Sequence, residues 1–308
     1  MPIPAAWRGP LSWAAAIVAA LALLVAVGLR LNVPAADGGV LQSTYVVRVG
    51  FALAALGVAF VSRRHASRPE LVGLLALAAA FLLTAGIDGA VVALGSRAVA
   101  RGILGLDFLG WVAVGSAVSS VAGLLLPAVV AGRALRTDFD LVRPPSNLAR
   151  PLLVAAAAGV LLAPSVAFAR AYGEAAIASL RHEMGVPGTR LSWPTPATAS
   201  RSLPLALGAD LSTLALFLRL GLELPAIEIL LHGTLRAAFG RWGLVPFVVA
   251  TAFCAALLTM DTQPNFAVFV GALATGLLAA RSGSVVPGFV FWQAVHVGSI
   301  LWSAALGL

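Results

Sequence analysis

Residues 70–94 read ELVGLLALAAAFLLTAGIDGAVVAL, and between Glu70 at the start and Asp88 near the end the run carries no charge. A helix that crosses a bilayer needs about 20 predominantly apolar residues, because each residue rises only about 1.5 Å against a hydrocarbon core of about 30 Å. This stretch satisfies that length. The same criterion, carried outward, finds about nine candidate spans, near 11–31, 44–62, 70–94, 108–132, 151–171, 207–238, 243–260, 265–280 and 284–306. The expected fold is therefore all-α, a polytopic transmembrane helix bundle of about nine spans.

Composition agrees with that reading. Of 308 residues, 60% are hydrophobic and 10% charged, where a soluble domain carries about a quarter charged residues. Mean hydropathy is +0.99. All 20 cationic residues are arginine, and with the abundance of Ala, Gly, Val and Leu this points to a GC-rich bacterial genome and hence to the cytoplasmic (inner) membrane. The net charge of +8 is explained by loop arginines that fix topology, since cationic loops stay on the cytoplasmic side. Nucleic acid is not expected as a partner; the lipid bilayer is. The opening MPIPAAWRGP followed by an apolar run has the order of a signal peptide, but the run is long enough to span and is read as a retained first helix. Cys254 lies in an apolar stretch and is read as a packing residue, with no disulfide framework around it.

Arginine placement gives the orientation. Arg8 precedes the first span; Arg63, Arg64 and Arg68 follow the second; Arg133, Arg136, Arg143 and Arg150 follow the fourth; Arg236 and Arg241 follow the sixth; Arg281 follows the eighth. All fall on one side if the N-terminus is cytoplasmic and the C-terminus outside. Arg97 and Arg101 depart from the pattern, as do Arg181, Arg190 and Arg201 in the long external segment at about 172–203. Residues near 170–185 suit a helix continuing into the interface, and the Pro, Ser and Thr that follow suit a loop. The link TDFDLVRPPSNLARP at 137–151 divides an N-terminal four-helix region, 1–150, from a C-terminal part, 151–308. Gly115, Ala117, Gly123, Gly271 and Gly276 are expected to let helices approach closely.

Charged groups at membrane depth are costly and call for a reason. They are Arg48, Asp88, Asp210, Arg219, Glu223, Glu228, His232 and His296. Arg48 and Asp88 are expected to pair between neighbouring helices, and Asp210 and Arg219 to reach towards water. Glu228 and His232, four residues apart, share a helix face, and His296 could join them. Those residue types hold zinc, but an inter-helix hydrogen-bond network is the plainer expectation.

The stretches PAIEILLHGTLRAAFGRWG, FVVATAFCAALL and FAVFVGALATGLLAARSGSVVPGFVFWQAVHVGSILW, within about residues 205–305, resemble the core of the CPBP intramembrane metalloprotease family, which includes CAAX prenyl endopeptidases and bacteriocin-processing (Abi) proteins. In that family the motifs are EExxxR before a Gly, FxxxH, and HxxxN or HxxxD after a Thr-Gly-Ser turn. With Gly233 as the motif glycine, the paired acids fall on Ile227 and Glu228 and the arginine on His232. Phe253 matches, but the histidine position is Leu257. The RSGS turn at 281–284 and Pro287 then place Trp292 at the third histidine and His296 at the Asn/Asp. A one-residue shift puts Glu228 on the first acid and rescues that group alone. Leucine neither holds a metal nor accepts a proton, and tryptophan offers only an N–H.

The resemblance thus implies a CPBP-like fold with degenerate catalytic motifs: a pseudoenzyme acting as a membrane scaffold or as a subunit that binds another membrane protein or a membrane-embedded peptide, with no catalytic residue and no cofactor. Its alternative is an active metallo-endopeptidase or hydrolase with zinc on a rewired Glu228, His232 and His296. A transporter using Arg48, Asp88 and Asp210 lacks the inverted repeat and broken helices that such a pathway calls for.

Overall fold

A computed structural model describes residues 33–34, 40–41, 43–101, 114–115, 117–136, 149–183, 221–259 and 265–306. The described residues are almost entirely helical. The exception is a two-residue antiparallel pairing of β1 (Val33–Pro34) with β2 (Val40–Leu41). The helices are α1 (Ser43–Ser62), α2 (Arg68–Ala100), α3 (Ser119–Leu135), α4 (Ala149–Glu183), α5 (residues 221–239), α6 (Leu244–Leu258), α7 (Asn265–Ser282) and α8 (Val286–Leu306). A helix satisfies its interior backbone hydrogen bonds within its own segment, which is what an apolar surrounding demands of a chain.

Local sequence sets the boundaries. Ser67, Pro69 and Glu70 open α2: the Ser67 N–H donates to Glu70 Oε2 at 2.7 Å, the reciprocal half of a capping box, with Pro69 in the first turn where no N–H is missed. Gly283 at φ 67° turns the chain from α7 into α8, and the N–H of Val286 donates to Ser284 Oγ at 3.2 Å. Two helices depart from α geometry. The first turns of α3, Ser119–Leu125, are π-helical. So is Ile229–Thr234 in the middle of α5; hydrophobic spacing carries no sign of either.

Two helical segments, Arg68–Val91 and Ala149–Phe168, are long and apolar enough to cross a membrane; Val47–Ser62, Ser119–Leu135, Leu244–Leu258, Ala267–Ser282 and Val286–Trp302 are shorter and also apolar. The expected first span at 11–31 lies outside the described residues, as do Asp210, Arg219 and the loop beyond Glu183. The segment at 172–183 continues α4 as helix.

Pairing of the helices fixes their directions. A side chain at Gly159 would meet Phe291 and Ala294, and one at Gly298 would meet Val160 and Ala163, so α4 and α8 run parallel in close contact. Likewise Gly115 lies against Val91 and Gly123 against Thr84, which sets α3 antiparallel to α2. Short turns join α1 to α2, α5 to α6 and α7 to α8. The exposed Arg63, Arg64, Arg68, Arg133, Arg136, Arg150, Arg241 and Arg281 consequently gather at one end of the bundle, while Arg101 stands at the other.

The core holds Phe51, Phe81, Leu124 and Ala128 together with Leu230, Phe239, Leu257 and Trp292, so it is shared across the boundary expected near 150. The outward faces are apolar too. Val61 and Leu161 are 79% exposed and Leu153 70%. Helices apolar on both faces are what a membrane span requires.

Candidate functional site

The sequence singled out Glu228 and His232, and α5 brings them together in the middle of the bundle, each 1% exposed. Glu228 is the last residue before the π-helical turn, and His232 lies within it. His232 Nε2 stands 3.8 Å from Glu228 Oε2, too far for a direct hydrogen bond. Glu228 Oε1 is held from the other side. The Thr275 hydroxyl on α7 donates to it at 2.6 Å, and the Trp292 indole N–H on α8 donates at 2.8 Å. One carboxylate oxygen therefore ties three helices together.

Small residues make room for this arrangement. A Cβ on Gly288 would come within 2.8 Å of Glu228 Oε2, and one on Gly276 within 2.9 Å of His232 Cε1. At Gly271 it would strike the Trp292 ring. Phe247 closes the far side, edge-on to the His232 imidazole at 6.3 Å. Oε2 of Glu228 and both His232 ring nitrogens have no hydrogen-bond partner among the described residues.

Glu228, His232 and His296 are not gathered into one group. Among the described residues, no three His, Cys, Asp or Glu side chains gather so as to hold a metal ion. His296 is buried, but it sits one turn beyond Trp292 on α8, and it is Trp292 that lies against Glu228.

The remaining motif positions are apolar core. Ile227 and Leu257 are buried, and Phe253 packs on Phe269 with ring centroids 4.7 Å apart. Next to Leu257 in sequence is Leu258, whose carbonyl belongs to a second polar cluster.

That second cluster forms around Arg48, the buried cation that the sequence paired with Asp88. Arg48 Nη1 donates to Asp88 Oδ2 at 2.6 Å, and Nη2 donates to the Leu258 carbonyl at 2.5 Å. A small cavity of about 10 Å³ adjoins it, lined by Thr84, Asp88, Ser119, Ser120, Leu124, Glu223 and Leu258. It is about the size of one water molecule. Glu223 thus belongs with Asp88, five residues before Glu228 on the same helix.

Sequence reasoning missed three participants. Thr275 and Ser119 are small hydroxyl residues in apolar runs, and only an inter-helix register reveals what they face. Glu70 stands at the edge of its apolar run, and the Ser67-to-Glu70 spacing is that of a helix cap; its Oε1 accepts from Arg241 Nε at 3.1 Å and Trp242 Nε1 at 2.7 Å.

Comparison with protein-family models, with curated proteins and with solved structures finds no match to the chain. Among the described residues, the fold and the site define a helical bundle with two helices long and apolar enough to cross a membrane and a buried carboxylate that joins three helices.

Proposed function

We propose that the chain is an integral membrane protein that does not catalyse: a degenerate relative of CPBP-type intramembrane proteases serving as a scaffold or partner-binding subunit. The observation that carries this reading is the double hydrogen bond to Glu228 Oε1 from Trp292 and Thr275. The resemblance puts a histidine at position 292; an indole stands there instead, packed over Gly271, and it occupies the acid. Leu257 at the other histidine position supports the same reading.

The bundle is read as about nine spans in a bacterial cytoplasmic membrane. Its N-terminus is cytoplasmic and its C-terminus outside, an orientation supported by the arginines at one end. Apolar outward faces supply the lipid contact, and another membrane protein or membrane-embedded peptide is the expected partner.

The deciding experiment measures metal content and co-purifying membrane proteins for the intact protein, beside the Glu228→Ala and His296→Ala variants. Metal-free protein retaining a membrane partner in stoichiometric amount is the expected result. Stoichiometric zinc lost in both variants overturns the proposal and establishes a metallohydrolase.

A further inference from the structure

The turn between α1 and α2 is fastened more firmly than a connector requires. The Ser62 carbonyl accepts from the N–H groups of His65 and Ala66 at 2.8 and 2.7 Å. Ser67 donates its N–H and its hydroxyl to Glu70 Oε2 at 2.7 and 3.0 Å. Glu70 in turn is bonded to Arg241 and Trp242 at the start of the next hairpin. The turn is thus set in place by two elements, and Glu70, the one acid at this end among the described residues, is buried and already neutralised by Arg241.

Three arginines, Arg63, Arg64 and Arg68, project from this turn and are exposed. Immediately before them, Phe60 is 65% and Val61 79% exposed, and the Arg63 guanidinium lies 4.2 Å from the centre of the Phe60 ring. Exposed apolar side chains give way to exposed cations within a few residues. That profile matches the boundary where acyl chains meet phosphates. A guanidinium presents a planar fork of donors suited to a phosphate, and fixing the turn in advance lowers the ordering cost of binding.

We propose that the Arg63, Arg64 and Arg68 turn binds the phosphate of an anionic phospholipid in the adjoining leaflet, with Phe60 and Val61 set among its acyl chains. This rests on the reading of the chain as a membrane protein. Arginines near an anionic surface each contribute about fivefold in affinity. The other arginines at this end supply diffuse attraction; the fastened turn supplies the site.

The test reconstitutes the full-length protein into vesicles of equimolar phosphatidylglycerol and phosphatidylcholine, extracts it, and counts retained lipids by native mass spectrometry. Wild type is expected to retain phosphatidylglycerol in preference. R63Q/R64Q/R68Q should lose that preference, while R63K/R64K/R68K keeps part of it and R281Q all of it. The lysine variant also controls for folding of the substituted turn. Equal retention of the two lipids by wild type, or an unchanged preference in the glutamine variant, overturns the site; so does an equal loss in R281Q. Failure of wild type to float with vesicles would overturn the membrane reading itself, a distinct outcome.

Discussion

Trp292 Nε1 donates to Glu228 Oε1 at 2.8 Å between α8 and α5, and the direction of that bond separates structure from catalysis. A carboxylate that accepts from an indole and a hydroxyl is an anchor whose value lies in its lone pairs. Glu228→Gln keeps an amide oxygen for both donors and removes a buried charge, so it should leave the thermal unfolding temperature unchanged or raise it. Glu228→Ala strands the Trp292 indole N–H, while the Thr275 hydroxyl keeps the Ala272 carbonyl at 3.3 Å as an acceptor; it should cost about 1–3 kcal/mol, read as a lower unfolding temperature in detergent. Equal damage from both variants would mean that the charge itself matters.

Gly288 lies where any side chain would displace that carboxylate, since a Cβ there falls 2.8 Å from Oε2. Gly288→Ala should therefore act through Glu228. In a double-mutant cycle with Glu228→Ala the two losses should fail to add, with an interaction energy of at least about 0.5 kcal/mol. Additive losses would show that the glycine serves helix approach alone.

Arg48 joins α1 to Asp88 on α2 and to the end of α6. Removing one partner of a buried ion pair leaves an uncompensated charge, at a cost of about 3–5 kcal/mol, whereas replacing both by apolar residues is often close to neutral. Arg48→Met should accordingly be more destabilised than Arg48→Met/Asp88→Leu, as measured by unfolding temperature and by yield of monodisperse protein. The opposite order would assign the pair little structural weight.

The helices were legible because apolar run length is a one-dimensional property. Runs such as 44–62, 70–94, 243–260 and 265–280 sit within a few residues of α1, α2, α6 and α7, α2 running further, to Ala100. The Arg48 and Asp88 pair was legible for a related reason: two lone opposite charges in adjacent apolar helices have few other ways to be neutralised. Partners that depend on inter-helix register were not legible. Nothing in the run FVGALATGLL marks Thr275 as facing Glu228, and the π-helical turn at Ile229–Thr234, which positions His232, leaves no trace in residue spacing.

Cys254 supplies a reporter for all of these variants. It is the chain's single cysteine, and it lies in α6, buried in the core at 1% exposure. Burial keeps reagents from the thiol. Maleimide should consequently label native protein slowly and denatured protein at once, so that labelling rate follows opening of the bundle. Glu228→Ala, which unties α7 and α8 from α5, should accelerate labelling at a temperature where Glu228→Gln leaves it slow. Rapid labelling of the wild-type protein under native conditions would show that α6 opens readily, and the three-helix anchor would then have to be abandoned as the element that holds this core closed.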